Sequence, residues 1–337
     1  VAAVQWLTMS STSTSHVRPY NLLVMLGWVI SLIRSWLSAW LSTRTNKMPS
    51  GARAILPIKP VSPSLAVVTG AARGLGRQLV EALVMQGYHV IMVDIDAPEA
   101  NRAAHDIRSR LPWAKLEVME LDLRDRRSIV AFAQEVATYP ARPPLRVLVN
   151  NAAAIVGERR ASVELGEETL AVNHLGPLYL TLLLLPSLTA SPGGRVVFTG
   201  SFVHRGASAA GFARWLDEAM PTWVKGEARA PAAPPSRDYT PALQYMHTKL
   251  CNVLVARGLD LRYEPLGLRC TVLDPGVMDT CLTQDFPRFL DGFYKAVLRG
   301  AGVLRRPRDV ARCLLSCIAV PDKFADKATP MWAGGAR

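Results

Sequence analysis

The stretch TGAARGLG, residues 69–76, decides the fold that this sequence predicts. It follows the apolar run LAVV and leads into a helical pattern that continues to about Gly87. Glycine permits a sharp turn and the close approach of a phosphate, and a helix N-terminus offers free N–H groups. A glycine-rich turn alone is a weak signal, but its position between a strand and a helix predicts a pyrophosphate site. The residues assigned to it are Gly70, Arg73, Gly74, Leu75 and Gly76.

The chain beyond this turn alternates between apolar runs and helical patterns. Further strands are predicted at residues 90–93, 116–121, 145–149, 195–199 and 268–273, with helices at 99–111, 128–138, 167–185 and 241–263. Near-continuous apolar strands separated by helices predict an α/β fold, a doubly wound parallel sheet of the Rossmann type. A seventh strand should close the sheet, and only the stretch around Met331 offers itself. We place this domain at residues 61–325 and a tail at 326–337.

Two carboxylates follow the second and third predicted strands. Asp94 ends the second strand, where a carboxylate can accept hydrogen bonds from the adenosine ribose and repel a 2′-phosphate, which favours NAD. Arg73 could instead bind that phosphate, so NADP stays the alternative. Asp122, together with Leu123, is assigned to the adenine edge. The alternative for Asp122 is an ordinary carboxylate at a helix start, close to Arg124.

Further motifs occur in a fixed order after the glycine turn. They are NNAA at 150–153, NHLG at 173–176, VVFTGS ending at Ser201, a Tyr245/Lys249 pair on one helical face, and PGVMDT at 275–280. Together these motifs resemble the short-chain dehydrogenase/reductase family over about residues 62–322. The stretches NHLGPLYLT and KLCNVL resemble its retinol-dehydrogenase-like and WW-domain-oxidoreductase-like branch. Many members of that branch act on retinoids, steroids or other lipids at membranes.

The resemblance implies an NAD(P)-dependent interconversion of an alcohol and a carbonyl on a hydrophobic substrate. It makes Tyr245 the acid/base, Lys249 its partner and a ligand of the nicotinamide ribose, Ser201 the carbonyl-binding hydroxyl, and Asn173 the holder of a proton-relay water. It also assigns cofactor contacts to Asn150, Ala152, Pro275, Gly276, Val277 and Thr280. An ammonium about 4 Å from the phenol at an effective dielectric of 20 contributes about 4 kcal/mol, so we expect Lys249 to lower the pKa of Tyr245 toward 7.

The sequence departs from the family pattern in three places. Ala153 replaces the final glycine of NNAG, and Thr248 replaces the serine before Lys249. The separation between Ser201 and Tyr245 is also unusually long, because of an insert near residues 206–240. We interpret the insert as a lid or a partner surface, with disorder of its alanine-proline portion as the alternative.

Residues 1–60 form a separate N-terminal segment that we predict to be membrane-seeking. The hydrophobic stretch Asn21 to Leu41 is about 30 Å long as a helix and is interrupted by Arg34. Basic residues follow it, so the positive-inside rule favours anchoring, for instance in the endoplasmic reticulum, with a cytosolic catalytic domain. The alternative is a targeting peptide that is cleaved after organelle import, because the segment lacks acidic residues and is rich in Ser and Thr.

Composition argues against several other functional classes, namely nucleic-acid-binding, metal-binding and disulfide-rich proteins. The net charge is +12, but six basic residues and no acidic ones lie in residues 1–60, and no basic stripe with aromatic residues follows. We therefore predict no nucleic-acid partner. Five cysteines without a Cys-x-x-Cys pair predict neither a metal site nor a disulfide framework. A small hydrophobic substrate is the expected partner, and a homodimer is left open. The alternative from another class is a non-catalytic nucleotide-binding scaffold.

Overall fold

A seven-stranded parallel sheet forms the centre of the part of the chain that the structure describes. The computed structural model describes residues 63–138, 142–156, 160–162, 164–219, 241–276, 278, 305–319 and 331–333. The strands are β1 Leu65–Thr69, β2 His89–Asp94, β3 Leu116–Glu120, β4 Leu145–Asn150, β5 Arg195–Thr199, β6 Arg269–Asp274 and β7 Met331–Ala333. Their spatial order is β3-β2-β1-β4-β5-β6-β7. The order reverses between β1 and β4, so a crevice for a ligand is expected at the carboxyl ends of these two strands.

Helices cover both faces of the sheet. They are α1 Gly74–Met85, α2 Ala97–Arg110, α3 Arg126–Thr138, α4 Gly176–Ala190, α5 Ala209–Ala219, α6 Pro241–Tyr263 and α7 Pro307–Ala319. One core cluster joins the sheet to α3, α4 and α6, and a second joins it to α1, α2 and α7. Burial on both faces explains the near-continuous apolar strands: every residue of β1 and β5 is buried.

The predicted doubly wound parallel sheet is confirmed, and the six predicted strands match within one residue at each end. The predicted seventh strand is also present, because Met331 pairs with Val272 and Ala333 with Asp274. The sheet therefore includes residues beyond 325, where the domain was predicted to end. A three-residue strand is too short to show a hydrophobic period, so the sequence pattern could not place it within the domain.

The segment before α4 departs from regular α-helix. Helical turn Glu168–Leu170 leads into π-helix Ala171–Leu175, and the Glu167 carboxylate accepts the N–H groups of Thr169 and Leu170. Taken together, Glu168–Ala190 is the one described helix that is long and apolar enough to cross a membrane. Most of it is buried within the protein, as in a core helix. The predicted membrane-seeking stretch, Asn21 to Leu41, lies outside the described residues.

Candidate active site

The glycine turn between β1 and α1 has a shape that other residues would not fit. Gly70 and Gly74 have positive φ angles of 64° and 54°. A Cβ atom on Gly76 would lie 2.0 Å from the carbonyl oxygen of Gly70, which is a backbone atom and cannot rotate away. The three glycines are therefore required by the backbone itself, as the sequence predicts for a phosphate-binding turn.

The N-terminus of α1 is open to an anion. Arg73 occupies the N-cap position without forming a side-chain cap, and the first turn holds no acidic residue. The free N–H groups and the helix dipole therefore suit a pyrophosphate, with Leu75 and Gly76 in the first turn. A cofactor phosphate fits the residues that are present here.

Asn151 fixes this turn, a role that the sequence pattern does not predict. Its side-chain amide donates to the carbonyl oxygens of Thr69 at 2.9 Å and Gly70 at 3.1 Å. In return, the Thr69 hydroxyl accepts the N–H groups of Asn151 and Ala152 at 3.0 and 3.1 Å. Asn150, which was assigned to the cofactor, instead donates its amide to Thr181 on α4 at 2.9 Å and is 3% exposed. Within the NNAA motif, the second asparagine thus contacts the glycine turn.

Asp94 lies beside the glycine turn, as expected. One carboxylate oxygen accepts the N–H of Ala72 at 2.9 Å, and the other accepts that of Asp96 at 3.1 Å. The Arg73 guanidinium turns away from α1 and pairs with Asp96 at 2.7 Å and Glu99 at 3.6 Å. Three carboxylates and one already paired arginine therefore surround the region that follows β2.

Asp122 is occupied by a neighbouring arginine. The Arg124 guanidinium donates to both of its carboxylate oxygens and also pairs with Glu168 at 3.0 Å. Burial raises the pKa of Asp122, but the hydrogen bonds from Arg124 outweigh it and leave the pKa lowered. This geometry is that of the alternative, a paired carboxylate at a helix start, and the adenine role of Asp122 stays a prediction. Leu123 lies close to α4: a Cβ atom on Gly176 would come within 2.3 Å of its carbonyl oxygen.

The structure brings Ser201, Tyr245 and Lys249 together, although they come from two distant parts of the chain. Ser201 follows β5, and the other two lie one turn apart on α6. The Ser201 hydroxyl lies close to the phenol of Tyr245 and affects its pKa. The Lys249 ammonium donates to the carbonyl oxygen of Thr199 at 2.9 Å and lies 5.2 Å from the centre of the Tyr245 ring. Their exposed fractions are 8%, 7% and 1%, so the group is almost dry.

The expected lowering of the Tyr245 pKa is wrong for this arrangement. Burial raises the pKa of Tyr245, the hydrogen bond from Ser201 opposes this, and the negative charge of Asp274 adds to the increase. Burial also lowers the pKa of Lys249 to about 8. The physical reason is desolvation: it disfavours the charged form of both groups. The ammonium also bonds to a backbone carbonyl rather than to the phenol.

Asn173 lies in the π-helix and is 1% exposed. Its side chain accepts the N–H of Ala154 at 2.7 Å and donates to the Ala154 carbonyl at 2.9 Å and to Thr248 at 3.3 Å. Its own carbonyl oxygen accepts the side-chain amide of Asn252 at 3.0 Å. The carbonyl oxygen of Asn173 has a second lone pair, which can accept a hydrogen bond from a water molecule. The geometry is therefore compatible with the predicted role of Asn173 in holding a proton-relay water, and this role stays a prediction.

Asn252 and His174 form a second buried pair that the sequence analysis missed. The Asn252 side-chain oxygen lies 2.8 Å from His174 Nδ1. Burial lowers the pKa of His174, so the ring is neutral and its Nδ1–H donates to Asn252. Both residues lie in stretches that carry the family resemblance, His174 in NHLG and Asn252 in KLCNVL. The two residues are 78 positions apart in the chain and come into contact because α6 packs against the π-helix.

The end of β6 supplies the last cofactor candidates. Pro275 is buried, and Gly276 has a φ angle of 68° and donates its N–H to the carboxylate of Asp274 at 2.9 Å. Val277 and Thr280 lie outside the described residues. Asp274 itself, 3% exposed, directly precedes the PGVMDT motif and was not predicted to belong to the site.

The first part of the insert is a helix that packs on α6. Trp215 of α5 is 6% exposed; its ring centre lies 4.9 Å from that of His247, and its indole N–H donates to Gln244. His204, just after Ser201, lies 2.5 Å from the Ser201 carbonyl oxygen through Nδ1. Residues 206–219 thus support the helix that carries Tyr245. The alanine-proline portion, 220–240, lies outside the described residues.

Comparison with known proteins identifies one family to which the chain is similar. The family described as short chain dehydrogenase matches residues 64–213. A WW domain-containing oxidoreductase from Danio rerio is 33% identical over 229 residues, which are 68% of this chain and 52% of that protein. Retinol dehydrogenase 12 from Mus musculus is 30% identical over 241 residues, or 70% of each protein. The chain thus spans about half the length of the first relative.

Among solved structures, the fold is similar to an NADPH-bound short-chain oxidoreductase from Pseudomonas aeruginosa. The TM-score is 0.58 and the identity 20%, with 81% of this chain and 96% of that chain covered. At this identity the likeness concerns the fold alone.

Proposed function

The chain belongs to the short-chain dehydrogenase/reductase family, and from this premise we propose that it interconverts an alcohol and a carbonyl by hydride exchange with a nicotinamide dinucleotide. One observation carries the proposal. Ser201, Tyr245 and Lys249 lie together as a buried group at the carboxyl end of β5, with the Lys249 ammonium bonded to the Thr199 carbonyl oxygen, on the same edge of the sheet as the glycine turn. A non-catalytic scaffold would need the turn but not this group.

The residues present fit the dinucleotide. Gly70, Gly74 and Gly76 with the open N-terminus of α1 would hold the pyrophosphate, and Lys249 the nicotinamide ribose. The Oγ1 atom of Thr199 and the Oδ1 atom of Asn150, both buried, have no hydrogen-bond partner among the described residues. These orphaned atoms lie where β4 and β5 end, next to the crevice, and could accept hydrogen bonds from a ligand. When bound, the dinucleotide supplies the hydride donor or acceptor.

Each residue of the group has a distinct task in this reaction. The Ser201 hydroxyl donates a hydrogen bond to the substrate oxygen and stabilises negative charge that develops there. Tyr245 donates its proton to that oxygen during carbonyl reduction and removes it during alcohol oxidation. Because burial raises the pKa of Tyr245, the phenol is protonated at neutral pH. A protonated phenol can donate its proton to the substrate oxygen directly, as carbonyl reduction requires.

NAD is the preferred cofactor in this proposal. Asp94 lies beside the glycine turn, and Arg73 is already paired with Asp96 and Glu99. A 2′-phosphate near β2 would therefore meet three carboxylates, and it would gain Arg73 only by breaking an existing ion pair. NADP stays the alternative.

The substrate is proposed to be hydrophobic, such as a retinoid, a steroid or another lipid. The similarity to retinol dehydrogenase 12 and the apolar N-terminal stretch Asn21 to Leu41 support this class. The same stretch supports attachment to a membrane, with the endoplasmic reticulum as the proposed location and import into an organelle as the alternative.

Replacing Tyr245 by Phe tests the proposed chemistry. The variant should lose at least 10²-fold in kcat, the lower end of the usual contribution of acid/base catalysis, and should bind the dinucleotide nearly as before. Lys249→Ala should impair both, because only the lysine is expected to contact the ribose. Turnover of a carbonyl panel and nicotinamide fluorescence titration measure the two effects. If Tyr245→Phe kept more than about a tenth of the activity, Tyr245 would not be the acid/base.

Deleting residues 1–45 tests the membrane attachment. The full chain should sediment with membranes even at high salt, because apolar burial is not screened as surface charge is, and the shortened chain should be released. A full-length chain that is recovered in the soluble fraction, or a mature chain cleaved near residue 45, would contradict the anchor.

A further inference from the structure

Lys249 presents a problem of charge balance. It is among the largest fully buried side chains of the protein, at 1% exposure. Its ammonium donates to the neutral carbonyl oxygen of Thr199 and forms no direct ion pair among the described residues. A buried ammonium without a counter-charge is strongly destabilising, so a negative charge is expected near it.

Three carboxylates are buried in the part of the chain that the structure describes. Glu167 accepts the N–H groups of Thr169 and Leu170 before the π-helix. Asp260 pairs with Arg269 at the start of β6, the edge of the sheet opposite the site. Asp274 lies at the other end of β6 and has the backbone N–H of Gly276 as its hydrogen-bond donor. It is the one buried carboxylate at the carboxyl edge that carries the catalytic group.

The strand register brings Asp274 next to this group. Leu273 pairs with Thr199, the residue whose carbonyl accepts the Lys249 ammonium, and its own carbonyl oxygen accepts the N–H of Gly200 at 2.8 Å. Asp274 therefore lies one residue beyond that pair, beside the turn that leads from Gly200 to Ser201. In agreement with this position, its negative charge adds to the effect of burial in raising the pKa of Tyr245, and it partly opposes the effect of burial in lowering the pKa of Lys249.

We propose that Asp274 is the counter-charge of Lys249 and a positioning residue that favours the protonated forms of Lys249 and Tyr245. It acts through these two residues and does not itself contact the reacting atoms. The proposal rests on the function proposed above, in which Tyr245 is the acid/base.

The other titratable groups around Lys249 are few among the described residues. Tyr245 lies on its own helix, and Asp274 faces it from β6. His204, on the turn after β5, is bonded to the carbonyl of Ser201, and His174 of the π-helix is bonded to Asn252. His247 of α6 packs against both Phe212 and Trp215 of α5. Asp274 is thus the one carboxylate among these titratable groups, and it is the group that can balance the charge of Lys249.

Titration of Asp274→Asn tests the proposal without relying on turnover. The side-chain ¹⁵N signal of Lys249, assigned by its loss in Lys249→Arg, should titrate at a pH about one unit lower than in the unchanged protein, as expected for the loss of one nearby charge in a poorly solvated site. Asp274→Glu keeps the charge and should keep the midpoint. Asp260→Asn removes a buried carboxylate at the opposite edge and should leave the midpoint unchanged, whatever it does to stability.

The pH profile of turnover gives a second readout. The midpoint of the limb governed by Tyr245 should move to lower pH by a similar amount in Asp274→Asn, for reduction and oxidation alike, because one group titrates in both. Asp274→Ser, whose hydroxyl can still accept the Gly276 N–H, should give the same two shifts.

An unchanged Lys249 midpoint in folded Asp274→Asn or Asp274→Ser would overturn the proposal. A shifted Lys249 midpoint combined with an active Tyr245→Phe variant would instead leave the charge coupling in place and reject the proposed function. The two failures are therefore distinguishable.

Discussion

The carboxyl edge of the sheet has two parts that differ in physical character, the β1–β2 edge beside the glycine turn and the β5–β6 edge beside the catalytic group. At β1–β2 the charged groups are partly exposed, with 52% of the Arg73 side chain and 37% of the Asp96 side chain accessible, and backbone shape determines the site. At β5–β6 the polar side chains of Ser201, Tyr245, Lys249 and Asp274 are almost completely buried. The first edge should therefore tolerate changes in charge but not in volume. The second should respond strongly to charge, because little solvent screens it.

The largest effect that separates the two edges is expected for Gly76→Ala. The added methyl group would lie 2.0 Å from the Gly70 carbonyl oxygen, so the turn must change shape. Overpacking against backbone costs about 3 kcal/mol or more, and dinucleotide affinity should fall by at least about 100-fold. Urea unfolding and fluorescence titration measure these losses.

Gly258 provides the matched control for that substitution. It lies inside α6 with nothing within 4 Å of an added Cβ atom. Gly258→Ala should therefore bind the dinucleotide normally and gain up to about 1 kcal/mol in unfolding free energy. If Gly76→Ala had the same stability and dinucleotide affinity as Gly258→Ala, the space around residue 76 would not determine the shape of the turn.

An intermediate effect is expected at the buried edge from Lys249→Met. The pKa of Lys249 is about 8 in the folded protein and 10.5 when the side chain is free. Since the unfolded chain binds the proton more tightly, the stability cost of Lys249 is complete below pH 8 and disappears as pH rises to 10.5. The unchanged protein should thus gain about 3 kcal/mol over Lys249→Met across that interval. A difference in unfolding free energy that did not vary with pH would show that Lys249 is not desolvated.

The smallest effect concerns cofactor choice at the exposed edge. Asp94→Ala should weaken both dinucleotides, because the carboxylate also holds the N–H of Ala72, but it should narrow the preference for NAD(H) by about tenfold. Asp106→Asn is the control, because Asp106 lies farther along α2, where it pairs with Arg110 and with Arg77 of α1, and its replacement should leave the ratio unchanged. Tighter NADPH binding by the unchanged protein would show that Arg73 dominates despite its ion pairs.

The sequence predicted the sheet, and the places of the glycine turn and Asp94 in it, because these features depend on local patterns. Alternating strands and helices, the glycine turn and Asp94 can all be recognised from spacing. Family resemblance added Ser201, Tyr245 and Lys249. Neither route revealed Asn151, Asn252 or Asp274, since their partners are distant in the chain and come close only after the sheet has formed. The raised pKa of Tyr245 cannot be predicted from the distance between the phenol and the Lys249 ammonium, because burial decides the sign of the shift.

The π-helix at Ala171–Leu175 has an evolutionary consequence. A π-helical turn contains one residue more than the α-helical turn it replaces, so it can arise by a single-residue insertion. Here the side-chain amide of Asn252, on another helix, bonds to the carbonyl of Asn173 within that turn. Loss of the extra residue would leave a buried amide without its acceptor, and loss of Asn252 would remove a donor from the altered turn. The two features are therefore expected to be inherited, and lost, together.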